Sequence, residues 1–299
     1  MCLKRKLPMP WRDILPRVLA FSAVLLLLCN LFLSPPRATR NPDYLYVFAL
    51  DVGQSDATLI TTGDKVMLID CGSTTAQEAL TYELSRYGIE KIDILFLSHP
   101  HEDHVGNARY LLQNFAVEQV LLPQMEGEEL VWQILLSELG ENAEFLHTGY
   151  TFSLGYADFE VLSVGEMLGK DPENNASAVL RGVFGKMRFL FMGDAGEATE
   201  AALIATYGSA YLDSDYIKIG HHGSGGATTM DFLLATTPAA VSISCGRANS
   251  FGFPTARVLA DLEALGVHIA RTDLDGTVVF GTDGQELRRI SNEERGLGR

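Results

Sequence analysis

The side chains able to do chemistry gather in one run, Ser98-His99-Pro100-His101-Glu102-Asp103-His104. Three imidazoles and a carboxylate in six residues make an HxHxDH pattern, whose chance expectation in a chain of this composition is on the order of 10⁻⁴. Neutral imidazole nitrogens and carboxylate oxygens suit Zn²⁺, and also Mn²⁺ or Fe²⁺. The run follows the apolar stretch Ile92–Leu97, so it stands where a strand ends, a common place for a site in α/β folds. A second group, Lys218-Ile219-Gly220-His221-His222-Gly223-Ser224-Gly225-Gly226, also follows a strand. Together the two groups hold five of the seven histidines. The glycines of the second offer backbone N–H groups that can cradle an anion; a turn with exposed imidazoles is the plainer alternative. A third element, Phe191-Met192-Gly193-Asp194, ends an apolar run in a carboxylate just before a helix, and alone it reads as a capping acid.

These groups need elements to position them. Strands are expected at 44–50, 57–61, 65–70, 92–97, 119–122, 158–164, 178–184, 186–192, 216–219, 240–244 and 277–280. Helices are expected at 76–86, 107–115, 128–139, 197–207, 230–235 and 256–265. The last carries apolar residues at Val258, Leu259, Leu262 and Leu265 and stops at Gly266, a helical stripe with a glycine end. Asp64 beside Gly63, and Gly185 between two apolar runs, mark hairpin turns. Hairpins mixed with βα units predict sheets covered by outer helices, an α/β layered fold. The charged tail from Asp283 is expected to fray.

The 299 residues are 47% apolar with 15 Phe, 10 Tyr and 2 Trp, which excludes a disordered or fibrous chain. Net charge is −15, unevenly spread. Residues 1–40 carry seven bases and one acid; the remainder holds 16 bases and 37 acids, a net of −21. A body that acidic lacks the basic footprint of a groove-binding DNA protein, although a local phosphate site is compatible with it. Cys2, Cys29, Cys71 and Cys245 are too few and too scattered for a disulfide scaffold. After the basic lead Lys4 to Arg17, the apolar run 18–33 would span about 24 Å as a helix, long enough to cross a bilayer if Ile14–Arg17 are borrowed by snorkelling. The flanking charge predicts a single-pass anchor with the body outside the cell, a cleaved signal being the competing reading. Ser34–Pro42 then forms a short stiff linker.

HxHxDH, an aspartate after a strand and a downstream histidine resemble the metallo-β-lactamase superfamily. More narrowly, Leu50-Asp51-Val52-Gly53-Gln54-Ser55-Asp56-Ala57, Leu68-Ile69-Asp70-Cys71-Gly72, Asn174-Asn175-Ala176-Ser177, Gly193-Asp194 and His221-His222-Gly223-Ser224 resemble the C-terminal hydrolase domain of ComEC-type competence proteins. The resemblance implies an αββα four-layer sandwich over about 41–283. It also implies a centre for two divalent metal ions, Zn or Mn, and a location on the outer face of the membrane. By position, His99 and His101 would bind one metal, Asp103 and His104 the other, with Asp194 bridging and one of His221 and His222, preferably His222, completing the second. Asp103 and His221 are the candidate catalytic groups, His221 as proton donor or substrate holder. Two departures stand out. His147 is the only histidine between HxHxDH and Asp194, so the first metal position is oxygen-rich. The turn Phe251-Gly252-Phe253-Pro254 lacks the histidine the competence proteins place there.

Asn175, Lys218 and Ser224 are candidate substrate contacts. Lys218 is opposite in parity to Ile217 and Ile219, so it either faces the site and holds a phosphate or is a solvated lysine. Ser224 fits a turn or a phosphate contact. Asp51 and Asp70, acids at strand ends, read as turn and loop hydrogen bonders. The chain is therefore expected to be a membrane-anchored, externally facing, binuclear phosphodiesterase or nuclease that binds single-stranded DNA weakly. Hydrolysis of a lactone or β-lactam, and a catalytically silent subunit of a DNA-uptake assembly, are the alternatives.

Overall fold

The computed structural model describes residues 43–140 and 143–291. The described residues open with an antiparallel meander of β1 (Leu45–Ala49), β2 (Thr58–Thr62) and β3 (Lys65–Ile69). β4 (Lys91–Phe96), β5 (Ala116–Pro123) and β6 (Glu144–Leu146) then add in parallel through helical crossovers. The second sheet repeats this plan. β7 (Thr151–Leu154), β8 (Ala157–Ser163), β9 (Val179–Phe184) and β10 (Met187–Phe191) are antiparallel neighbours, followed by parallel β11 (Tyr216–Lys218), β12 (Ala240–Ile243) and β13 (His268–Arg271). β14 (Val278–Thr282) and β15 (Leu287–Arg289) return to the first sheet beside β1, giving eight strands against seven among the described residues.

Alternation along the strands sorts side chains into layers. On β1, Leu45 and Val47 enter the core between the sheets, whereas Tyr46 and Phe48 face the outer helices. On β10, Phe189 and Phe191 point between the sheets and Leu190 points outward. Three buried clusters result, one between the sheets and one under each outer helix layer. This is the expected four-layer α/β sandwich. The helices that matter below are α1 (Gln77–Arg86), the single turn α2 (Glu102–Val105), α3 (Ala108–Asn114), α4 (Leu130–Leu139), the single turn α5 (Pro172–Asn175) and α6 (Glu197–Tyr207).

The tail departs from expectation. Instead of fraying from Asp283, the chain pairs β15 with β14, and Ile290 is buried with its N–H donating to Val279 O. One apolar anchor offsets the charged neighbours. The short strands β6, β7 and β13 were also not expected; at three or four residues each is too short to establish a period. Among the described residues no helix is long and apolar enough to cross a membrane. The expected anchor at 18–33 and its linker lie outside the described residues. Cys71 and Cys245 are buried free thiols.

Candidate metal centre

The candidate residues converge at the carboxyl ends of β3, β4, β10, β11 and β12, the edge where both sheets switch to parallel pairing. Pro100 and the single turn α2 fold the loop after β4 so that His99, His101, Asp103 and His104 turn inward; His104 N–H donates to His101 O at 3.0 Å. Gly193 takes φ +53° just before Asp194, where a Cβ would meet Ser177 and Ser98 at 3.0 Å. After β11, His221 and His222 are consecutively left-handed, φ 48° and 52°. Each such residue costs about 1–3 kcal/mol and persists where surrounding structure enforces it. Asp70, at φ 57°, is a third such residue in the same place.

Asp194 occupies the centre of this group. Its Oδ1 lies 3.1 Å from His104 Nε2, and its Oδ2 lies 3.7 Å from His222 Nε2, 3.8 Å from His221 Nε2 and 4.0 Å from His99 Nε2. Asp103 Oδ2 is 3.2 Å from His222 Nε2 and 4.0 Å from His104 Nε2. His99, His104 and Asp194 form one candidate ion-holding group, and Asp103, His104 and His222 another. His101 stands beside the first, its Nδ1 3.1 Å from His99 Nε2. His222 is buried against Asp103, while His221 stands at the mouth, a quarter exposed. His147 lies on the surface, away from the group, with its Nδ1 3.0 Å from Thr148 O. No histidine joins His99 and His101 on that side among the described residues; the segment before β9 contributes Ser177, whose Oγ accepts from Asp194 N–H.

The donor set fits divalent ions on one observation. His104 Nε2 and Asp194 Oδ1, 3.1 Å apart, and His222 Nε2, 3.2 Å from Asp103 Oδ2, are buried and face one another without the alignment of a hydrogen bond. Buried polar atoms are otherwise paired, so orphans gathered at one point call for a cation. The far nitrogens explain why these atoms face inward. His104 Nδ1 meets Asp70 Oδ2 at 2.7 Å, His222 Nδ1 meets Ser244 O at 2.9 Å, and His99 Nδ1 meets Ser98 Oγ at 3.0 Å. Each outer contact assigns the proton to Nδ1 and leaves the Nε2 lone pair for an ion, the usual arrangement around metal-ligating histidines. His101 is reversed: Glu173 holds its Nε2 at 3.0 Å, leaving Nδ1 toward the site.

Without an ion, the buried carboxylates favour a second proton on His104 and His222, which an ion must displace to reach the Nε2 lone pairs. Burial works against a charge on His104, but Asp194, Asp70 and Asp103 outweigh it and hold the imidazole well above its usual pKa. Burial pushes the Asp194 carboxyl upward, yet His104, His222 and His99 keep it well below the usual carboxylate range. For His99, burial and the neighbouring His104 act together and hold the ring neutral. A divalent ion entering here displaces the extra proton from His104 and His222, whereas His99 is already neutral.

Three expectations change. Lys218 does not hold a phosphate: it is buried, ion-paired with Asp56, and donates to Ile219 O at 2.9 Å. The face opposite Ile217 and Ile219 is the space between the sheets, not the cleft. Asn175 borders the cleft, but its Oδ1 accepts from Gly196 N and Thr199 N and its Nδ2 donates to Asp171 O, which fixes the start of α6. Asp70 is more than a loop acid. It accepts from Ser98 N–H at 2.8 Å, Ser98 Oγ at 2.7 Å and His104, so it orients two candidate ligands. Asp51, by contrast, caps its own turn, accepting from Gly53 N–H. Ser224 is buried at the cleft with its Oγ unpartnered. Glu173, Ser177 and Ser244 escaped the sequence because their roles arise only from folding. Outer partners of this kind typically set metal affinity by 10- to 100-fold. Asp70→Asn is therefore expected to weaken ion binding at the His104 position by that factor. Competition against a chelating indicator measures it; an unchanged affinity would remove Asp70 from this role.

Residues 50–224 match the sequence model of the metallo-beta-lactamase superfamily. The chain belongs to this superfamily. Among its metallo-beta-lactamase relatives, competence protein ComA of Neisseria gonorrhoeae is 32% identical over 271 residues, 90% of this chain and 37% of that protein. ComE operon protein 3 of Bacillus subtilis is 28% identical over 253 residues, 77% of this chain and 32% of that protein. The chain thus spans about a third of the length of these curated relatives. The metallo-beta-lactamase fold protein YhfI from Bacillus subtilis superposes with a TM-score of 0.57 at 11% identity, covering 80% of this chain and all of that one, which shows the shared fold.

Proposed function

We propose that this chain is a two-metal phosphodiesterase that cleaves single-stranded nucleic acid, held at the outer face of a membrane by its N-terminal segment. The observation that carries the reading is the set of buried, unpartnered donor atoms around Asp194. His99, His101 and Asp194 would hold one ion, and Asp103, His104, His222 and Asp194 the other. When bound, two ions supply Lewis acidity toward phosphoryl oxygens and a lowered pKa for water. The protein's own groups do the rest. Asp103, a third exposed, is the most exposed member of the donor set and orients the attacking water. His221 at the mouth donates a hydrogen bond to the phosphoryl group. The unpartnered Ser224 hydroxyl binds a second phosphoryl oxygen. The competence relatives set a DNA strand first among phosphodiesters.

The test is a panel on the purified full chain loaded with Mn²⁺ or Zn²⁺: bis-p-nitrophenyl phosphate, single-stranded DNA, cyclic nucleotides and lactones. Turnover of lactones alone, or of nothing with both ions in place, would refute the reading. Binding should be weak and respond little to salt. With Lys218 buried, only one to three phosphates can meet a cation, so the log–log slope should lie near −0.7 to −2. Titrating salt against oligonucleotide binding measures it; a steep slope would reveal a basic track.

A further inference from the structure

A cavity of about 350 Å³ opens beside Asp194 and His221. That volume falls within the range of small-ligand sites, about 300–1,000 Å³. Two features of its lining are not used by the metal centre. One is the loop Ser224-Gly225-Gly226, where the buried Ser224 Oγ lacks a partner and a Cβ on either glycine would meet nothing nearer than 3.8 Å. The other is Phe253, which lines the cavity, meets His221 edge-on at 5.7 Å, and stacks against Phe251 at 5.5 Å with an interplanar angle of 21°. Phe251 is 65% exposed. Two near-parallel rings, one open to solvent, form a flat platform at the mouth of a hydrolytic site.

The charge of the lining decides what the platform takes. Outside the metal centre, Asp171 and Glu197 border the cavity with Lys170 as the one lysine or arginine among the described lining residues, so a further phosphate finds no net positive charge there while an uncharged flat group needs none. Every nucleobase offers such a face, and stacking on an aromatic side chain is indifferent to sequence. We propose that Phe253, backed by Phe251, stacks the base of the nucleotide adjoining the scissile phosphate, while Ser224 and the Gly225–Gly226 backbone hold the phosphate. The substrate is thus a nucleic-acid strand with unpaired bases, not a ring-free ester. This rests on the phosphodiesterase reading above.

The full chain, loaded with Mn²⁺, is given a short single-stranded oligodeoxynucleotide and a counterpart of the same length built from abasic residues. Stacking predicts a KM for the ordinary strand about 5- to 100-fold below that for the abasic one. Phe253→Leu should bring this ratio to within about two-fold of one, and Phe253→Trp should retain it. Phe251→Leu, a change at an exposed position, should reduce it. Thermal melting of each variant reports folding. Equal cleavage of both strands by the unaltered protein would overturn the platform while leaving the phosphodiesterase reading standing. A ratio that survives both leucine variants would also overturn it, by placing base recognition elsewhere. Cleavage of neither strand would defeat the underlying reading and this proposal together.

Discussion

Asp194→Ala is expected to lower the metal content from two ions per chain to less than one, and activity by at least on the order of 10²–10³-fold. The scale is that of removing one fixed electrostatic partner from a site, and here the partner serves both positions. Asp194 is the carboxylate within 4.0 Å of His99, His104, His221 and His222 at once. Its backbone is fixed by the Ser177 hydroxyl and by the tightly packed Gly193 before it. The variant also loses a countercharge that His104 and His222 require in the buried interior, so the metal-free protein should melt lower. An independent readout separates these effects. An ion that binds only the folded state raises stability by about 2.7 kcal/mol at a concentration 100 times its Kd. The unaltered protein should show that rise on adding Mn²⁺ or Zn²⁺, and the variant should not. Two tightly held ions in the variant by elemental analysis would count decisively against a shared ligand.

The donor set was legible because its members lie close in sequence: HxHxDH occupies six residues, and His221-His222 are adjacent. Gly193-Asp194 was legible as an acid after a strand, although its central position needed the fold. Asp70 was visible but misjudged. Its role comes from parallel pairing of β3 with β4, where Ile69 faces Phe96 and the loops beyond run side by side, which brings Asp70 to Ser98. Nothing in the sequence between positions 70 and 98 records that register. The short strands failed for a related reason. Thr151–Leu154, His268–Arg271 and Leu287–Arg289 lie at or near sheet edges, where one partner suffices and no second face needs covering. Such strands, three or four residues long, are too short to display the apolar run or sustained alternation that marks a central strand. The central strands, apolar on both faces, were found to within one or two residues, apart from β5, which starts three residues earlier.

Lys218→Ala separates a phosphate-holding lysine from the buried ion pair seen in the structure, a role the sequence reading did not include. A lysine holding substrate phosphate would, on removal, raise KM and leave stability untouched. The structure predicts the reverse order of effects. Lys218 lies on β11 with Tyr216, facing the interior between the sheets, and its ammonium meets Asp56 from the loop after β1. Asp56 in turn accepts from Ser244 Oγ at 3.2 Å, and its N–H donates to Asp103 O at 3.1 Å. Ser244 O is the acceptor that orients His222. The pair therefore ties the two sheets together directly beneath the second metal position. Truncating one member of a buried pair leaves the other charge uncompensated and typically costs about 3–5 kcal/mol. For a domain of this size each kcal/mol corresponds to roughly 2–4 °C, so Tm should fall by about 6–20 °C. Scanning calorimetry with a chelator present isolates this from metal loss. Because a buried ion pair pays heavily for desolvation, replacing both members, Lys218→Met with Asp56→Leu, should recover most of the loss. An alanine variant that melts like the unaltered protein yet binds phosphodiester poorly would return Lys218 to the cleft.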